Sequence, residues 1–183
     1  MNSSHTPDEP SVRIGWSRPS QRLKSPTTRT ALAAGAHTAK AVPLTPPFRS
    51  IVVGSPDYLA ARGRPTTPDD LREHACLRWR RTDGALALWS FNDNGRALEI
   101  AVSGPLIASD FSTMLGAAVE GVGLAQLPAP MASAALKTQK VVQVLDAYAP
   151  MMPGVFLFYP DRRQIMPKLR AFIDHVKNHT QTG

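Results

Sequence analysis

At 183 residues, 43% hydrophobic and 19% charged, the chain has the make-up of a globular protein with room for one sizeable core or two small lobes. Its apolar runs fall well short of the roughly 20 residues of a membrane-spanning helix, and MNSSHTPDEP lacks the basic start and apolar core of a secretory signal. The single Cys76 excludes an internal disulfide, so a reducing, cytoplasmic setting without a membrane partner is expected.

In chain order, the first segment is the odd one. Residues 1–50 carry seven Lys/Arg against Asp8 and Glu9, while residues 51–183 carry 14 against 12, so most of the net charge of +7 sits early. Seven of the 17 prolines are there too. Such a stretch buries too little apolar area to offset its ordering entropy. Residues 1–40 are expected to be disordered or weakly structured, with TALAAGA at 30–36 the one helix-like run. The charges are scattered rather than massed as in a nucleic-acid arm.

From residue 41 the pattern alternates strands and helices. Ile51-Val52-Val53 is the apolar centre of a strand over 50–54, of the kind buried on both faces. Gly54-Ser55-Pro56 ends it, and a helical turn follows over 57–61. Thr67 is set to cap a helix with Pro68 in its first position and Asp69 and Asp70 in its first turn. Residues 76–80 read as a strand. Two strands, 87–91 and 98–102, flank Asn92-Asp93-Asn94-Gly95, a hairpin signal. A short strand at 106–108 leads to Ser109, the expected cap of a helix over 110–120 with Phe111, Met114, Leu115 and Ala118 on one face. Strand 124–127 is stopped by Pro128 and Pro130, a short helix follows over 131–136, and strands are expected at 141–145 and 155–159. Pro167 opens the last helix, 168–178, with Leu169, Phe172, Ile173 and Val176 turned inward. The alternation predicts an α/β fold. The stiff segments 54–56 and 127–130 suggest two crossings between two lobes, with a ligand cleft between them.

Enzyme signals are weak. Cys76 reads as a small buried hydrophobe, and His74 and Cys76 are too few for a metal site. His175 and His179 are spaced i, i+4 without a third ligand. Asp69 and Asp70 are helix-start acids, and Arg78, Arg80 and Arg81 form a local basic patch. The chain has neither a phosphate-binding glycine loop nor a nucleophile elbow. No enzyme, cofactor or metal is expected.

The pieces VVGSPDYLAARGRP, TPDDLREHACLRWR, Trp89-Ser90-Phe91 with its hairpin, GPLIASD, AAVEGVGLAQLP, VVQVLDAYAP, FLFYPDRRQ and MPKLRAFIDHV follow one another in the order of a known family. Over about residues 42–178 the chain resembles the effector-binding domain of LysR-type transcriptional regulators. The resemblance implies a periplasmic-binding-protein-like α/β fold of two lobes that senses a small, organic, anionic effector in the inter-lobe cleft. It implies a domain over 41–180, with a second lobe at about 56–128 and a first-lobe remnant at 41–55 and 150–180. Residues 1–40 show no family wording and no helix-turn-helix. A truncated product with an incomplete first lobe is therefore expected, without specific DNA binding of its own. It would act through homo- or hetero-oligomers with LysR-type regulators. A stand-alone small-molecule binding domain and a non-functional remnant stay open.

The effector-contact candidates are Ser55 at the first crossing, Ser109, Asp110 and Phe111 at a strand end and helix start, and Gln126 and Pro128 at the return crossing. A helix N-terminus offers N–H groups and a positive dipole end to a carboxylate. Each has a plain alternative: a turn residue for Ser55, a cap for Ser109 and Asp110. Trp89 reads as core or cleft wall.

Overall fold

The computed structural model describes residues 13–15, 39–160 and 167–180. In chain order its strands and helices are β1 (Arg13–Gly15), β2 (Ala39–Pro43), β3 (Phe48–Gly54), α1 (Pro56–Arg62), β4 (Arg78–Trp79), β5 (Trp89–Asp93), β6 (Arg96–Ile100), β7 (Ile107–Ala108), α2 (Phe111–Val119), β8 (Ala125–Pro128), α3 (Ala129–Lys137), β9 (Val142–Val144), β10 (Met151–Met152), β11 (Phe156–Pro160) and α4 (Pro167–Thr180). Short 3-10 helices occupy Pro68–Glu73 and Asp146–Tyr148. The expectations for residues 1–40, including the run at 30–36, fall outside the described residues except at 13–15 and 39–40.

Two compact units emerge, one from residues 48–152 and one from the described residues of 1–47 and 153–183. The first is larger than the 56–128 stretch expected from sequence. The reason is strand pairing that joins distant residues. β3 pairs antiparallel with β8 on one side, Ile51 opposite Leu127, and with β9 and β10 on the other, Val52 opposite Val144 and Arg49 opposite Met151. β3 is thus the middle of this unit's sheet. The chain passes between units at 47–48 and 152–153 rather than at 54–56 and 127–130.

The sheet continues beyond β8. A parallel bridge joins Cys76 to Leu124, and β4 pairs parallel with β7, Arg78 opposite Ile107 and Trp79 opposite Ala108. β7, β4 and β8 therefore run in one direction and β3 in the other. Alternate residues go to opposite faces. Ile51, Val53, Leu77, Ala125 and Leu127 pack under α2 and α3 with Met114, Ala118, Ala132 and Ala135. Val52, Cys76 and Leu124 face the opposite way, against Tyr58, Leu59, Leu71, Trp89, Phe91 and Leu145. The sheet is covered on both faces, which is why Ile51-Val52-Val53 in its middle strand is apolar without interruption.

The hairpin signal is realised. Asp93 pairs with Arg96 across Asn94 and Gly95, whose φ angles of 49° and 88° are the left-handed pair that a two-residue turn requires. Gly104 serves close packing instead. A Cβ there would stand 2.1 Å from the Cys76 carbonyl oxygen.

Pro130 does not simply stop a strand. It lies in the first turn of α3, where a missing N–H costs nothing. The other unit pairs β11 with β1 and β2, Leu157 opposite Ile14 and Val42. Ile173 of α4 is buried with Leu157 against Val42 and Leu44. Phe172, expected to face inward, is 50% exposed, because this small cover is spent on Ile173. The side chains of Leu169, Val176 and His179 lie outside the described residues.

Candidate functional site

The antiparallel register sorts the candidates onto two ends of one sheet. Pro128 lies opposite Ser50 and Gln126 opposite Val52. Ser55 follows the far end of β3. Five residues of strand, about 16 Å, separate Ser50 from Ser55. The candidates therefore do not assemble into one site.

At the Ser55 end, polar groups are consumed within the chain. Ser55 is 4% exposed, and its hydroxyl accepts from the Tyr58 N–H at 3.2 Å, capping α1. The Tyr58 hydroxyl accepts from the Ala75 N–H at 2.9 Å and lies 3.2 Å from His74 Nδ1. Burial lowers the pKa of His74, against the opposing pull of Asp70 and Glu73, and raises that of Tyr58. Burial also pushes the Cys76 thiol up to about 12. Asp70 accepts from the N–H groups of Thr66 and Thr67 and from both hydroxyls, which holds its carboxyl far below the usual range. Thr67 thus begins its turn as expected, although the turn is 3-10 rather than α.

Gln126 sits between the ends. Its amide oxygen accepts from the Ser90 N–H at 3.1 Å and its amide nitrogen donates to the Ser90 carbonyl at 2.8 Å. It pairs with the Ser90 backbone as another strand would, and holds the hairpin on the sheet. Pro128 is buried. Trp89, 2% exposed, is core.

The opposite end is different. Ser109, Asp110 and Ser112 are exposed at the carboxyl end of β7. Asp110, not Ser109, caps α2. Its carboxylate accepts from the Thr113 N–H at 2.7 Å, and that bond holds its pKa below the ordinary value. Ser and Asp cap equally well, so sequence alone could not choose between neighbours. One N–H expected to receive a ligand carboxylate is thereby already engaged. Phe111 is half-buried and packs on Trp79, ring centroids 4.9 Å apart, and the Trp79 indole N–H donates to the Ser109 carbonyl at 3.3 Å.

Of the basic patch, Arg78 donates to the Gly104 carbonyl, Arg80 to the Gly84 carbonyl, and Arg81 pairs with Asp83 at 2.9 Å. Arg49 pairs with Asp146 at 2.8 Å. Among the described residues, no cluster of three or more His, Cys, Asp or Glu is placed to hold a metal ion, and no helix is long and apolar enough to cross a membrane.

A model of the LysR substrate binding domain matches residues 10–181. The HTH-type transcriptional regulator PgrR of Escherichia coli is 33% identical over 138 residues, which are 75% of this chain and 46% of that one. YagP of Escherichia coli, a LysR family substrate binding domain-containing protein by name, is 34% identical over 123 residues, 67% of this chain and 90% of YagP. The regulatory domain of the C227S variant of AphB from Vibrio vulnificus superposes with a TM-score of 0.64 at 24% identity, covering 75% of this chain and 68% of that domain. The chain spans under half the length of regulators such as PgrR. With its mixed α/β architecture and this match over most of its length, the chain belongs to the LysR substrate-binding domain family.

Proposed function

We propose that the chain is the effector-sensing portion of a LysR-type regulator, and that residues 48–152 form one lobe of its effector domain. The rest of 41–180 belongs to the other lobe. The effector is a small organic acid held at the carboxyl ends of β4, β7 and β8. The observation that carries this reading is the exposure of Ser109, Asp110 and Ser112 at the start of α2, beside the half-buried Phe111. Open α/β sheets place ligands at the carboxyl ends of their parallel strands. With the Thr113 N–H taken by Asp110, the hydroxyls of the exposed Ser109 and Ser112 are donors suited to read an acid. Ser55 and Gln126 act as cap and brace and stay outside the contact set. The protein works in the cytoplasm without catalysis, as an oligomer with copies of itself or related regulators, and effector binding shifts that assembly.

Titration calorimetry on the full 183-residue chain, with small carboxylates and their neutral amides, tests this. At least one acid binds saturably, its amide binds about ten-fold more weakly, and Ser109→Trp abolishes the heat. Equal binding of acid and amide contradicts the anionic effector. Indifference to Ser109→Trp contradicts the place.

A second reading has one observation behind it. The matched region covers 90% of YagP, a relative with little chain beyond this domain. A stand-alone binding domain would bind the same acids without mixing with a full-length regulator in light scattering.

A further inference from the structure

Resting on the reading above, we infer that the effector carries an aromatic ring, and that Trp79 and Phe111 select it. The two rings lie 4.9 Å apart and 33° from parallel, a tilted arrangement within the contact range of aromatic pairs. Each is half-buried, so each turns part of its surface to the core under α2 and keeps part outward. The pair is held on rigid elements. Trp79 is fixed by pairing with Ala108 in β7, by the Ala87 N–H on its carbonyl at 2.9 Å, and by its indole N–H on the Ser109 carbonyl. Phe111 is the first residue of α2. Positioned aromatic groups favour a third ring because nothing need be ordered when it arrives.

The polar groups beside the rings set the ligand's other end. The exposed Ser109 and Ser112 stand on either side of Asp110 in the chain, and the Asp110 carboxylate caps the helix start. Residues 48–152 hold ten Lys/Arg and ten Asp/Glu, so the unit has no net charge with which to draw in an anion. Selectivity among acids therefore falls to the ring rather than to the amount of charge. The class is a monocyclic aromatic carboxylate with few negative charges, in preference to an aliphatic or a polyanionic acid.

The test is calorimetry on the full chain with benzoate and phenylacetate against propionate and succinate. The aromatic acids are expected to bind on the order of ten-fold more tightly than propionate. Trp79→Leu brings the affinities for benzoate and phenylacetate down to that for propionate in the same variant, while Trp79→Phe restores most of the difference. Phe111→Leu gives the same loss through the second ring, should Trp79→Leu fail to fold. Equal affinity for aromatic and aliphatic acids, or an aromatic preference that survives both leucine variants, overturns the inference and leaves the acid-sensing reading standing. Absence of binding by all four acids overturns both.

Discussion

The two ends of the sheet in residues 48–152 are built from similar residues and behave oppositely. One end gathers Ser55, Tyr58, His74 and Cys76, and the other gathers Trp79, Ser109, Asp110 and Phe111. Ser55 and Ser109 both follow a strand and precede a helix. At the first end the serine hydroxyl caps α1 from a buried position. At the second, the neighbouring Asp110 caps α2 and the serine is left exposed. A hydroxyl that caps a helix from a buried position is out of a ligand's reach. The same residue left exposed one place ahead of the cap is within it.

The largest effect that would sharpen this contrast is chemical. Cys76 is fully buried at the closed end with its thiol held protonated. In native protein its reaction with a thiol reagent should be at least about a thousand-fold slower than in urea, limited by unfolding. Prompt labelling would show that the end opens.

Next is Gln126→Leu, which strips the Ser90 N–H and carbonyl of their shared partner. A loss of about 2 kcal/mol is expected, with faster hydrogen exchange across residues 89–100. Exchange unchanged there would remove the brace from the account.

Third, Ser55→Ala should cost about 1 kcal/mol in urea unfolding, while Ser109→Ala stays within about 0.5 kcal/mol. Equal costs would erase the distinction between the ends.

The smallest effect concerns acid. Burial holds the folded-state pKa of His74 below its ordinary value of 6.5. The unfolded chain therefore binds the proton first, and the ordinary value marks where stability starts to fall as pH drops. The loss is complete once pH has passed the lowered folded value. His74→Gln should flatten that slope. A slope of opposite sign would mean that the folded state stabilises the imidazolium.

Much of this fold was legible in the sequence because its signals are local. Ile51-Val52-Val53 announced a strand covered on both faces, Asn94-Gly95 a two-residue turn, and Met114 with Ala118 the buried face of α2. What stayed hidden depends on residues far apart. The extent of the unit follows from pairing of Arg49 with Met151, about a hundred residues on. The role of Gln126 follows from the Ser90 backbone, and the separation of Ser55 from Pro128 follows from an antiparallel register. Spacing along the chain fixes none of these. Trp79 was passed over inside the strand motif CLRWR, and only its stacking on Phe111 brought it to the site.

The most direct test of the central claim is a nitrogen–proton NMR titration of the 183-residue chain with benzoate. The largest shifts should fall on the Trp79 indole N–H and on Ser109, Asp110, Phe111 and Ser112, with Ser55, Tyr58 and Ala75 unmoved. Shifts centred on Ser55, Tyr58 and Ala75 would contradict the account and place the ligand at the end assigned here to the fold alone.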